Sequence, residues 1–168
     1  SAPWAPSDVP GLLSEDVPRA MSKLQIDEIV EAFAQSARHC KQAGLHGVEV
    51  HAAHGYLVQQ FLSANSNVRE DDYGGSLERR NRFALEVIAA VRAAVGPTFP
   101  VILRWSQWKQ QDYSARLAHN PAELESFLVP LAEAGVDIFH CSQRRFWEPE
   151  FDGSDLNLAG WTRKITGK

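Results

Sequence analysis

An α/β fold around a parallel sheet is what this sequence predicts, on three grounds. An apolar period of helical type is followed by a short apolar strand three times in succession, which calls for right-handed crossovers between parallel strands. Reactive side chains gather just past the carboxyl end of each strand, where parallel α/β proteins keep their chemistry. With 168 residues, 44% of them apolar, the chain can bury a core as one domain or as a piece of a larger one.

The elements follow in order. Residues Ser1 to Pro18 hold four prolines and little apolar periodicity, and they read as an irregular lead-in. Ser22 with Gln25 forms a capping box, and Ile26, Ile29, Val30, Phe33, Ala34, Ala37 and Cys40 recur at helical spacing until Gly44 stops the helix. Val48–Val50 is the first strand. Ser76 caps a second helix whose stripe is Phe83, Ala84, Val87, Ile88, Val91 and Val95; Gly96-Pro97 ends it, and the strand Val101–Leu103 follows. Asn120-Pro121-Ala122-Glu123 combines an N-cap, a proline at the first helical position and a glutamate at the third. Leu124, Phe127, Leu128 and Leu131 make that helix's stripe, Gly135 ends it, and Val136–Phe139 is the third strand. The expected organisation is one partial domain over 1–168, with a lead-in over 1–18 and three helix-strand units over 22–141. Residues 142–168 are a loop and the start of a further helix at Leu158–Ile165.

The totals exclude several classes of function. Seventeen basic residues against 21 acidic ones give a charge of −4, and no basic run is long enough to track a phosphate backbone, so nucleic acid is not an expected partner. Apolar stretches are too short to span a membrane, and Ser1 to Pro10 lacks the charged and hydrophobic regions of a signal peptide. The two cysteines, Cys40 and Cys141, form neither a disulfide framework nor a metal-ligand spacing, which fits a reducing cytoplasm.

The run His51-Ala52-Ala53-His54-Gly55-Tyr56 opens where the first strand ends. It can aim two imidazoles and a phenol at one small anion or carbonyl if the backbone turns into a helix after the strand. Arg104 and Trp105 follow the second strand; His140, Cys141, Arg144 and Arg145 follow the third. Trp105, Trp108 and Trp147 suit either the walls of a pocket for a flat ligand or the core. Glu49, His51 and His54, or Glu49, His51 and His140, would also suit a metal, which leaves a metal-dependent hydrolase of barrel fold as an alternative. No Gly-x-Ser-x-Gly elbow is present, Cys141 reads as a small buried residue, and Gly74-Gly75 reads as a tight turn before a helix cap.

A longer signature surrounds these residues. The stretch Gly47 to Leu57, Gln60-Phe61-Leu62-Ser63, Ser66-Asn67-Val68-Arg69, Asp72-Tyr73-Gly74-Gly75-Ser76 and Arg79-Arg80-Asn81-Arg82-Phe83 closely resembles the old yellow enzyme family of flavin-dependent ene reductases, in particular its bacterial xenobiotic reductase branch. The resemblance continues through Leu103-Arg104-Trp105-Ser106 and from Gly135-Val136-Asp137 to Arg145-Phe146-Trp147. It implies the central portion of a (β/α)8 TIM barrel that holds noncovalent FMN, takes hydride from NADH or NADPH and passes it to an alkene conjugated to a carbonyl or nitro group. His51 and His54 match the paired donors to the substrate oxygen, Tyr56 the proton donor, and Arg104 the arginine beside the flavin pyrimidine. Trp105 and Trp108 are expected pocket walls by location, and no resident metal is expected.

The resemblance also implies an absence. Family members run to about twice this length, consistent with a plain barrel of roughly 250 residues plus insertions. The three strands match the fourth, fifth and sixth, and the backbone that cradles the FMN phosphate has no counterpart here. The chain is therefore expected to be a fragment that self-associates through its exposed sheet edges. A flavin-free, inactive form of that fragment is the alternative to an active enzyme segment.

Overall fold

Local signals become elements in a computed structural model that describes residues 2–10 and 17–168. Trp4–Ala5 (β1) pairs in parallel with Arg19–Ala20 (β2), so the expected irregular lead-in contains a short strand; Ser1 and residues 11–16 of it lie outside the described residues. Lys23–Gln42 is α1, and its capping box is formed: Gln25 N–H donates to Ser22 Oγ at 3.3 Å and Ser22 N–H to Gln25 Oε1 at 3.0 Å. Val48–His54 (β3), Leu57–Leu62 (α2), Leu77–Val95 (α3), Val101–Lys109 (β4), Pro121–Ala134 (α4), Ile138–Cys141 (β5) and Leu158–Thr166 (α5) complete the order. The helical turn expected after the first strand is α2, but it starts at Leu57, and His51 and His54 both lie ahead of it in β3.

The three longer strands form a parallel sheet in the order β3-β4-β5. On one face Val50, Ala52, Leu103 and Trp105 are buried with the stripes of α3 and α4, and α3 packs between α1 and α4. The other face carries Glu49, His51, Ile102, Arg104, Ile138 and His140, and no described element covers it; Ile138 is 51% exposed. Helices on one face of parallel strands, with the other face turned inward, is the geometry of a barrel sector.

All three strands of this sheet have boundaries that differ from expectation. β3 and β4 run on past Val50 and Leu103, because pairing with a neighbour, rather than apolarity, sustains a strand in a sheet. β5 begins later than Val136: Val136 is fully buried, and Asp137 exchanges hydrogen bonds with Val101 (N–H to Val101 O at 2.9 Å, carboxylate from Val101 N–H at 2.8 Å) before pairing starts at Ile138. Among the described residues no helix is long and apolar enough to cross a membrane.

Candidate active site

Residues three apart in a regular strand point to opposite faces, so His51 and His54 need an interruption to meet. The interruption lies between the pairs Ala52–Trp105 and His54–Lys109, where Ser106, Gln107 and Trp108 of β4 stand against Ala53 alone. His54 completes it with a left-handed φ of +63°, the one positive φ of a non-glycine among the described residues. That conformation costs roughly 1–2 kcal/mol for an L side chain. It is held by His54 N–H donating to Ser106 Oγ at 3.0 Å and by Gln110 N–H donating to the His54 carbonyl at 3.2 Å. The two imidazole rings then stand 5.3 Å apart.

Tyr56 caps α2 and stands 52% exposed, with its ring 5.1 Å from that of His51. Gly55 makes this possible: its φ is +90°, and a Cβ there would lie 2.4 Å from Gln111 Oε1. The turn is fastened from below by Gln59, which is fully buried. Its Oε1 accepts from Gly55 N–H at 2.5 Å, and its Nε2 donates to the carbonyls of Ser106 at 2.7 Å and Trp108 at 3.1 Å. Sequence reading passed over Gln59, which sits beside Gln60 in a short helix whose other four residues are apolar. Ser142 was missed as well. Its hydroxyl lies 2.7 Å from His54 Nε2, and its carbonyl accepts from Trp108 Nε1 at 2.9 Å, while the Trp108 ring lies 4.5 Å from His54.

Burial lowers the pKa of both His51 and His54 below the usual imidazole value, and the Arg104 cation lowers them further; Glu49 opposes this for His51, whereas His51 and His140 add to it for His54. Both rings are therefore neutral at pH 7, each with one N–H to donate. A Ser142 hydroxyl that donates to His54 Nε2 leaves the proton on Nδ1. Arg104 pairs in register with His51, and its Nε is buried without a partner. A heterocycle with acceptor atoms seated over the strand ends would satisfy that Nε, so the residues present fit the pyrimidine edge of a flavin.

Other expected site residues lie elsewhere. Trp105, expected as a pocket wall, is corrected to a core residue: it is 0% exposed, faces the helices and meets Phe127 edge-on at 5.2 Å. His140 and Cys141 sit within β5 rather than after it. His140 Nδ1 lies 2.7 Å from Glu49 Oε2, so that carboxylate is engaged, and among the described residues no three His, Cys, Asp or Glu side chains assemble as ligands. Cys141 lies 3.3 Å from Thr162 Oγ1, and burial pushes its thiol up, away from nucleophilic use. Gly74 is packed so that a Cβ would fall 1.9 Å from the Arg69 carbonyl, and Ser76 caps α3, so this segment is a structural turn.

A parallel sheet with helices on one face and polar groups gathered on the other defines the class, a sector of an α/β barrel. The chain belongs to the NADH:flavin oxidoreductase / NADH oxidase family, whose sequence profile matches residues 2–148. It is 50% identical over 167 residues to an NADPH dehydrogenase of Geobacillus thermodenitrificans, which covers 97% of this chain and 47% of that protein. Morphinone reductase superposes with a TM-score of 0.77 at 31% identity, over 99% of this chain and 47% of its own. Its complex with tetrahydroNAD gives 0.76 at 29% identity, over 98% and 47%. The chain thus spans less than half the length of these relatives. Membership of an oxidoreductase family, together with the Glu49–His140 pair, leaves the hydrolase alternative without support.

Proposed function

We propose that these residues form the substrate side of an FMN-dependent NAD(P)H oxidoreductase that reduces alkenes activated by a carbonyl or nitro group. The observation that carries this reading is the histidine pair, with rings 5.3 Å apart and beside a half-exposed phenol. Two fixed N–H donors hold the substrate's oxygen, and they stabilise it more as it gains negative charge than in the ground state. The Tyr56 hydroxyl, on a ring 5.1 Å from that of His51, would give its proton to carbon as a general acid. Arg104 would hold the flavin's pyrimidine edge, its permanent charge favouring added electron density there. When bound, FMN supplies hydride chemistry, accepting from a nicotinamide and donating to the alkene. The free thiols of Cys40 and Cys141 are in keeping with a reducing cytoplasm.

The test uses protein loaded with FMN, monitored at the flavin absorbance band in separate half-reactions. Tyr56→Phe should slow reoxidation by an enone about a hundredfold or more, while reduction by NAD(P)H stays near wild type. Equal losses in both half-reactions would remove the proton-donor role. Failure of the wild-type chain to take up FMN would favour the flavin-free fragment.

A further inference from the structure

A cleft of about 430 Å³ opens beyond Trp108, between the segments that follow β4 and β5. It shares Trp108 and Ser142 with the histidine site, so the two adjoin. A line of planar groups runs from one into the other. The His54 ring is 4.5 Å from Trp108, Trp108 is 5.5 Å from Tyr113, and the Arg144 guanidinium lies 3.9 Å over Tyr113.

The cleft's charges are unequal in their engagements. Arg116 is bound to the buried Glu150, which also accepts from Gln107 Nε2 at 3.0 Å, and Arg145 pairs with Glu148 at 3.2 Å. Arg144 has no carboxylate partner among the described residues. Stacked on an aromatic face, a guanidinium keeps its in-plane N–H donors free, in the fork that matches a phosphate. Trp147, 68% exposed at the rim, offers a face on which a base can stack.

We infer that this cleft binds the phosphate-bearing half of the dinucleotide reductant, with Arg144 as its cation and Tyr113 as the platform that orients it. This rests on the flavin-oxidoreductase reading above. A reductant must reach the histidine pair with its nicotinamide while its phosphates lie several ångströms away, and the row of rings from His54 to Arg144 spans that kind of separation. The volume falls in the range of small-ligand sites. The 2′-phosphate of NADPH and the shared pyrophosphate are both anions that Arg144 suits, and the test separates them.

The experiment measures flavin reduction in FMN-loaded protein against NADPH and NADH concentration, with adenosine, 5′-ADP and 2′,5′-ADP as competitors. Arg144→Gln changes an exposed side chain and so leaves the fold intact. It should raise the apparent Kd for coenzyme about tenfold, leave the saturating rate and reoxidation by enone unchanged, and weaken inhibition by the ADPs but not by adenosine. The salt dependence of coenzyme binding should also flatten. A loss confined to NADPH and 2′,5′-ADP assigns Arg144 to the 2′-phosphate; a loss shared with NADH and 5′-ADP assigns it to the pyrophosphate. Unchanged Kd values overturn the inference, as does loss of FMN from the variant, which would give Arg144 to the flavin's own phosphate. If the wild type takes up no FMN or is not reduced, the parent reading fails instead.

Discussion

His51 and His54 join geometry to protonation. Each is held below the usual imidazole pKa, first by burial and then by Arg104. As pH falls below about 6.5, unfolded chains take up protons at these rings that the folded chain refuses until lower pH. Stability is therefore fully present above about 6.5 and declines as pH falls toward the depressed values. Urea unfolding at pH 7.5 and 5.5 should show this decline, and His51→Gln and His54→Gln should each make it shallower; an unaltered slope in both variants would contradict the shifted pKa values. The identities of these residues were legible in the sequence, since two imidazoles and a phenol after a strand are a rare grouping. Their convergence was not, because it depends on a bulge and on one left-handed residue, His54.

At the scale of elements, the helix signals carried over directly. Ser22, Ser76 and Asn120 each cap the helix expected of them, and Gly96 and Gly135 end theirs. These are local contacts between near neighbours, which a sequence states openly. Strand ends were less legible: a strand continues as long as a partner offers hydrogen bonds, and the partner is distant in sequence. Gln59 belongs to the same hidden level, since a short apolar helix gives no hint that its one buried amide ties the Gly55 turn to the β4 carbonyls. Gln59→Ala leaves those groups unsatisfied and should destabilise the protein by about 1–3 kcal/mol. The reading is a lower urea midpoint at constant slope. Because Gly55 precedes Tyr56, the same variant should slow reoxidation more than reduction.

For the whole molecule, the inward face of the sheet is the distinguishing feature. Glu49 and His140 pair across it, while Ile138 stands half exposed, and both β3 and β5 are edges among the described residues. Unpaired parallel edges beside exposed apolar surface favour association. The 168-residue chain studied alone is therefore expected to form oligomers whose proportion rises with concentration. Size-exclusion chromatography with light scattering tests this, and a sharp monomer at every concentration would count against it.

Helix-strand alternation, a parallel sheet, the helix caps and the identities of His51, His54, Tyr56 and Arg104 were readable along the chain, because periodicity, capping and motif are properties of neighbouring residues. Which side chains share a face was settled by the packing of distant segments. It moved Trp105 into the core and left Trp108 at His54, brought Ser142 to the imidazole, and stacked Arg144 on Tyr113. The places of Trp105 and Trp108 depend on strand register, since one displaced residue reverses the direction in which every later side chain of a strand points; Ser142 and the Arg144–Tyr113 stack depend on loops that meet only in the folded chain.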